Sequence, residues 1–277
     1  MKIAVVGLGL IGGSLCKTIK KRTTHACFGM DTDKKTLSDA LSQCAIDGIA
    51  TPETLCEFDL VFVCLHPKAT RDFILEHKKR FQKSGIVCDV CGVKREIVYR
   101  VSAPLREEGV FFIGTHPMAG REFSGFSYST DTLFDGASFI MTPQDDGTPP
   151  DKVETVRRLA LELGFGLVVT TTPEEHDQII AYTSQLAHVV SSAYIKSPTL
   201  QKKRGFTAGS FQDMTRVARL NEDMWTALFL YNREPLLLEI DAILKNLSAY
   251  RDALENQDAA NLRALLKEGR LKKEQAL

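Results

Sequence analysis

The stretch Gly7-Leu-Gly9-Leu-Ile-Gly12 constrains this chain more than any other. It lies between a short β-branched run, Lys2–Val6, and a helix-like stretch that ends in residues 17–22. A strand that turns sharply into a helix and leaves its first amides bare needs glycine at set places. Gly7 permits the turn, Gly9 lets the backbone approach a phosphate, and Gly12 lets helix pack closely on strand. Bare amides backed by the helix dipole attract a pyrophosphate. The candidate cofactor contacts are therefore Gly7, Leu8, Gly9, Leu10, Ile11 and Gly12. A second apolar run, Ala26–Met30, ends at Asp31. A carboxylate there can accept hydrogen bonds from both ribose hydroxyls of a dinucleotide and would repel a 2′-phosphate. That favours NAD over NADP, with Lys34 and Lys35 as nearby cations able to offset the repulsion.

The same alternation continues. Apolar strand-like runs at 59–65, 86–90, 110–114, 138–141 and 166–170 are separated by helical stretches near 34–43, 68–80, 94–107 and 152–163. That pattern predicts an α/β fold with a doubly wound parallel sheet. After Thr170 the texture changes. Residues 174–195, 211–219, 222–247 and 249–268 all read as helices, with Asn221 an N-cap and Pro235 marking a kink or a restart. Two domains are expected, residues 1–170 and an all-helical unit of 171–277, in keeping with 277 residues in total.

Composition excludes several function classes. Lys plus Arg and Asp plus Glu number 35 each, so no basic excess points to nucleic acid or an anionic membrane surface. No apolar run reaches the length of a membrane span, and the glycine pattern reads the N-terminus as folded structure rather than a signal peptide. All seven cysteines lie in the first 91 residues, which suggests reduced thiols and a cytoplasmic protein. Cys88-Asp-Val-Cys91 has CxxC spacing but no second ligand pair, so no metal site is expected.

A second constellation, Thr115-His-Pro-Met-Ala-Gly120, follows a predicted strand, where a histidine points into the crevice in which parallel sheets bind ligands. Asp89-x-x-x-x-Lys94 ends the preceding strand, and Asp213-Met-Thr-Arg216 lies among the later helices. Within 174–195, Asp177, Ala181, Ser184 and His188 recur on one helical face. His25, His66, His77 and His176 have no comparable context, although His66-Pro67 follows the strand that ends at Leu65, and Leu65 and His66 could flank the nicotinamide side of a cofactor.

Taken in order, these motifs resemble the TyrA-type prephenate/arogenate dehydrogenase family over nearly the whole chain, including a downstream Trp225. The resemblance implies a Rossmann-type domain joined to a helical dimerisation domain, a homodimer, and NAD-dependent oxidative decarboxylation of prephenate to 4-hydroxyphenylpyruvate in tyrosine synthesis. It makes His116 the general base and Arg216 the carboxylate-binding cation. Lys94, His188, Ser184 and Glu122 become further substrate-side residues. Apolar positions such as Leu228, Leu236, Leu237, Ile240 and Leu244 suit either a dimer face or a core. Where many members carry serine, this chain has Gly92, so the hydroxyl that helps hold the histidine is missing. Arogenate dehydrogenase is the nearest alternative. A β-hydroxyacid dehydrogenase and a non-catalytic NAD-sensing module stand further off. No regulatory domain is expected after the helices.

Overall fold

The computed structural model describes residues 1–121, 123–144 and 147–276. The chain opens with strand β1 (Lys2–Val6), helix α1 (Leu10–Arg22), β2 (Ala26–Met30), α2 (Lys34–Ser42) and a two-residue β3 (Gly48–Ile49). It then crosses to β4 (Leu60–Val63), α3 (Pro67–His77), β5 (Ile86–Asp89), α4 (Arg95–Glu107) and β6 (Phe111–Pro117). The sheet closes with β7 (Ser138–Pro143), α5 (Pro150–Glu162) and β8 (Leu167–Thr170). The eight strands lie in the order β3-β2-β1-β4-β5-β6-β7-β8. β4 and β5 are buried throughout and β1 after its first residue, so these strands read as continuous apolar runs rather than alternating ones. One apolar layer lies on each face: Ile3, Val5, Leu15 and Phe62 on the first, and Val61, Val63, Ile97 and Val101 on the second.

The sheet departs from the expected parallel order at one place. β6 and β7 pair antiparallel, with His116 opposite Ile140. A parallel return needs a long crossover, usually helical, and the segment between these strands holds only the 3₁₀ turn Phe126–Tyr128 among its described residues. The chain order reverses between β1 and β4, so a crevice opens beyond their carboxyl ends.

Beyond Thr170 every described regular element is helical: α6 (Pro173–Ile180), a π turn (Ala181–Gln185), α7 (Leu186–Tyr194), α8 (Gly209–Thr215), α9 (Glu222–Tyr231), α10 (Arg233–Glu255) and α11 (Ala259–Gln275). Thr172 caps α6 by accepting from the Glu175 amide, and Asn221 caps α9 through Met224. The restart expected at Pro235 falls three residues earlier, at Asn232. That places the proline in the first turn of α10, where its missing N–H costs nothing. Asn232 is buried and donates both to the Asp177 carbonyl and to Gln185 Oε1, at 2.8 Å each, so it locks the α9–α10 corner onto the π turn. No described helix is long and apolar enough to cross a membrane.

Candidate active site

The cofactor end is built by the β1–α1 turn. Gly7 has φ of +87°, and a Cβ there would stand 2.6 Å from the Cys64 carbonyl oxygen and 2.7 Å from Leu65 Cδ2. The turn is thus pressed against the end of β4, where Leu65 and His66, the N-cap of α3, follow. A Cβ on Gly12 would overlap the Gly7 carbonyl outright, whereas one on Gly9 would meet nothing within 4 Å. Gly9 caps α1 with no side-chain hydrogen bond, and no acidic residue occupies the first turn. The α1 N-terminus therefore presents unshielded amides to open space, the environment a pyrophosphate requires. Asp31 fastens the turn: Oδ2 accepts from the Leu8 amide at 2.7 Å, and Oδ1 accepts from Asp33 at 2.9 Å. Each carboxylate oxygen keeps a further lone pair for a ribose hydroxyl. Lys35 leans back toward Asp39 at 3.5 Å, and Lys34 is exposed at the start of α2.

At the end of β6, His116 Nδ1 lies 2.9 Å from His176 Nε2, and His176 Nδ1 lies 2.7 Å from Asp177 Oδ1. Asp177 is fully buried and also caps α4 from outside, accepting from the Lys94 amide at 2.7 Å and the Arg95 amide at 2.9 Å. Burial holds the His116 imidazole well below its ordinary pKa, and the charges of His176 and Lys94 act in the same direction. Burial also lowers His176, with the Asp177 hydrogen bond opposing it in part. Both rings are therefore neutral near pH 7. Without a side chain, Gly92 leaves a gap beside the histidine: a Cβ there would lie 3.8 Å from His116 Nε2 and 3.9 Å from Leu228 Cδ2. The expected loss of a serine hydroxyl is thus a gap beside His116 Nε2.

Leu228 belongs to α9, and one turn before it Trp225 stacks on His188 with ring centroids 3.7 Å apart. His188 Nδ1 donates to the Ser184 carbonyl at 2.9 Å. Its pKa is lowered by burial and also by the positive charge of Arg216, which places that guanidinium nearby. Arg216 itself is exposed and engaged in an interaction. His188, Ser184, Arg216 and Trp225 thus form one group, joined to His116 through Leu228 and Gly92. The π turn divides the polar strip expected on a single regular helix. Asp177, before it, and Ala181, its first residue, are buried, while Ser184 within it and His188 beyond it are half-buried. Such turns recur at functional sites.

Two expectations need correction. Lys94 does not face an open site, because its side chain is fully buried. Its ammonium pairs with Asp89 Oδ2 and donates to the Thr115 carbonyl at 2.6 Å. Asp89 Oδ1 accepts from the Thr115 amide at 3.1 Å, and Oδ2 accepts from Cys91 at 2.9 Å. The pair is a strut that fixes the residue before His116 to the end of β5. His176, which no sequence motif singles out, is the direct neighbour of His116. No spacing rule links residues 60 apart, and only the docking of α6 onto β6 reveals it. Glu122 lies outside the described residues. Cys88 and Cys91 are free and buried; burial pushes both thiols up, Cys91 to about 12, which leaves them inert. Among the described residues no group of three or more His, Cys, Asp or Glu could hold a metal ion.

Known proteins resemble this chain over both of its units. The model of the prephenate dehydrogenase nucleotide-binding domain matches residues 15–169, and that of its dimerisation domain matches residues 172–268. A prephenate dehydrogenase of Bacillus subtilis is 29% identical over 94% of this chain and 72% of that protein. Among solved structures, the prephenate dehydrogenase of Aquifex aeolicus in complex with hydroxyphenyl propionate and NAD+ superposes with a TM-score of 0.88. It is 28% identical and covers 100% of this chain and 99% of that one. Synechocystis arogenate dehydrogenase superposes at 0.86 with 27% identity, covering 100% of each chain. With its two domain models lying end to end along the sequence, the chain belongs to the prephenate dehydrogenase family.

Proposed function

We propose that this chain oxidises prephenate to 4-hydroxyphenylpyruvate with loss of carbon dioxide, using NAD, in tyrosine synthesis. The observation that carries the reading is the meeting at Gly92. His116 Nε2, from the sheet, and Leu228, from the helical unit, both come within 4 Å of the point where a side chain would begin there. One small space thus lies between a neutral imidazole and the His188–Trp225–Arg216 group. The Aquifex relative, whose complex holds a phenol bearing a carboxylate together with NAD+, supports the same reading.

The residues at the β1–α1 turn fit a dinucleotide: open space at Gly9, bare amides at Leu10 and Ile11, and a ribose acceptor in Asp31. Leu65 and His66 border its nicotinamide end. When bound, NAD supplies the hydride acceptor. His116 Nε2 takes the proton of the ring hydroxyl as the carbon bearing it gives up hydride and becomes a carbonyl. Decarboxylation then aromatises the ring, and the resulting phenolate recovers a proton from His116. General-base assistance of this kind is worth roughly 10²- to 10⁴-fold. Arg216 holds a substrate carboxylate through two parallel hydrogen bonds, with His188 and Ser184 beside it. Lys94 acts at one remove, by keeping Thr115 and thus His116 in place.

The chain works as a homodimer in this reading. Leu237, Leu244, Leu247 and Leu254 on α10 are all about half or more exposed, a stripe that a second copy would cover. Spectrophotometric assay with prephenate and with arogenate, each with NAD and NADP, tests the assignment. Turnover is expected with prephenate and NAD. Arg216→Ala is expected to raise the substrate KM about 10- to 100-fold, the worth of a charge-assisted hydrogen-bond pair, with NAD affinity unchanged. A preference for arogenate, or a loss confined to NAD binding, would overturn the substrate or the carboxylate assignment respectively.

A further inference from the structure

Among the described residues, hydrogen bonding anchors His116 on one side only. Its Nε2 faces the gap at Gly92, and its Nδ1 meets His176, which meets Asp177. The direction of each hydrogen bond in this row is fixed by its far end. Asp177 Oδ1 already accepts the Lys94 amide and, as a carboxylate, can only accept, so His176 Nδ1 carries the proton it shares. A neutral His176 then has a bare Nε2, which must accept from His116 Nδ1–H. His116 is left with its lone pair on Nε2, on the substrate side.

We infer that His176 and Asp177 are positioning residues that select the reactive tautomer of His116 and hold its ring toward the substrate. The inference rests on the reading of His116 as the base of the proposed reaction. In this chain, with glycine at residue 92, the row replaces a hydroxyl on the substrate side as the means of orienting the base. His176 is 1% exposed and Asp177 is fully buried, so water does not compete for these bonds. The row also crosses between the two structural units, because His116 belongs to the sheet while His176 and Asp177 belong to α6. Asp177 is tied in turn to the first turn of α4 through the Lys94 and Arg95 amides. The base is therefore competent only when α6 is seated on the sheet. As His116 takes the substrate proton, its positive charge is spread toward a carboxylate that is already in place. A buried carboxylate behind a catalytic histidine plays the same part in hydrolytic triads, where its loss costs roughly 10⁴-fold through the wrong tautomer.

Two measurements test the inference. In the first, His176→Leu removes the acceptor, and His176→Gln returns an amide oxygen that can accept from His116. The expected result is a kcat for His176→Leu reduced about 100-fold or more, with KM for prephenate and for NAD within about threefold, and recovery of most of the loss in His176→Gln. Equal losses in both variants, or no loss in either, would overturn it. The second measurement needs no substrate and no altered core. Nitrogen-15 spectra of the imidazoles in the NAD-saturated protein, with His116→Asn used for assignment, are expected to show protonated Nδ1 and bare Nε2 on His116. A proton on His116 Nε2 would overturn the inference whatever the kinetics. Failure to turn over prephenate or arogenate would instead remove the proposed reaction and leave the tautomer result standing.

Discussion

Alanine at Gly9 and alanine at Gly12 should separate the two roles of the glycine turn. Gly9 has φ of −76° and ψ of −155°, a conformation open to any residue, and its Cβ would meet no atom within 4 Å. Its only structural cost is that alanine caps a helix less well than glycine, up to about 1 kcal/mol. For a chain of this size that lowers Tm by about 2–4 °C at most. The methyl group would occupy the approach of the pyrophosphate, so NAD affinity should fall at least tenfold, about 1.4 kcal/mol. At NAD equal to 100 times the parent Kd, the parent gains about 2.7 kcal/mol and Gly9→Ala about 1.4 kcal/mol or less. Gly12→Ala behaves differently. On helix propensity alone it should stabilise by about 1 kcal/mol. Its Cβ instead overlaps the Gly7 carbonyl, backbone that cannot swing aside. A net loss of at least about 3 kcal/mol is expected, the upper range for overpacking, or a Tm lower by about 6–12 °C. Thermal unfolding with and without NAD, together with calorimetric titration, reads both quantities. Parent-like NAD binding by Gly9→Ala, or parent-like stability of Gly12→Ala, would overturn the division of roles between the two glycines.

Other consequences follow from the buried groups. Lys94→Met leaves the Asp89 carboxylate buried without its cation and should cost roughly 3–5 kcal/mol in denaturant unfolding. Of the cysteines, Cys44 and Cys56 are exposed, whereas Cys16, Cys64, Cys88 and Cys91 are pushed up by burial. An aromatic disulfide reagent should label those two rapidly in the native protein and the rest only on unfolding. His116, His176 and His188 all titrate lower in the fold than the usual imidazole value of about 6.5. The unfolded chain therefore binds more protons just below that value, so the stability these rings contribute is present above about pH 6.5 and is lost as pH falls. Tm should drop between pH 7 and pH 5.5, and the drop should shrink in His176→Gln.

Much of this molecule is legible along the chain because its signals are local. The Gly7–Gly12 turn, Asp31 and the strands at 2–6 and 26–30 each depend on neighbours a few residues away, and the structure places them as the pattern predicts. The antiparallel direction of β7 is not legible, because nothing local separates a strand reached by crossover from one reached by a loop. The burial of Lys94, a substrate-side residue by resemblance, is hidden from the sequence for a related reason. A lysine at a helix start is usually solvated, and only the closing of β5 on β6 shows that it is sealed against Asp89 and Thr115. His176 was invisible because its role depends on contact between α6 and β6. The π turn at 181–185 was equally hidden, since no residue type marks the one-residue shift it imposes on the strip toward His188.

The proposed reaction turns on His116 as its base, acting on a dianion held by the helical unit. Its most direct test is the initial rate of NAD reduction with prephenate in the parent and in His116→Asn, with NAD binding measured alongside. The predicted result is rapid turnover by the parent and a kcat about 10²- to 10⁴-fold lower in His116→Asn at unchanged NAD affinity. An undiminished rate in the variant would contradict it.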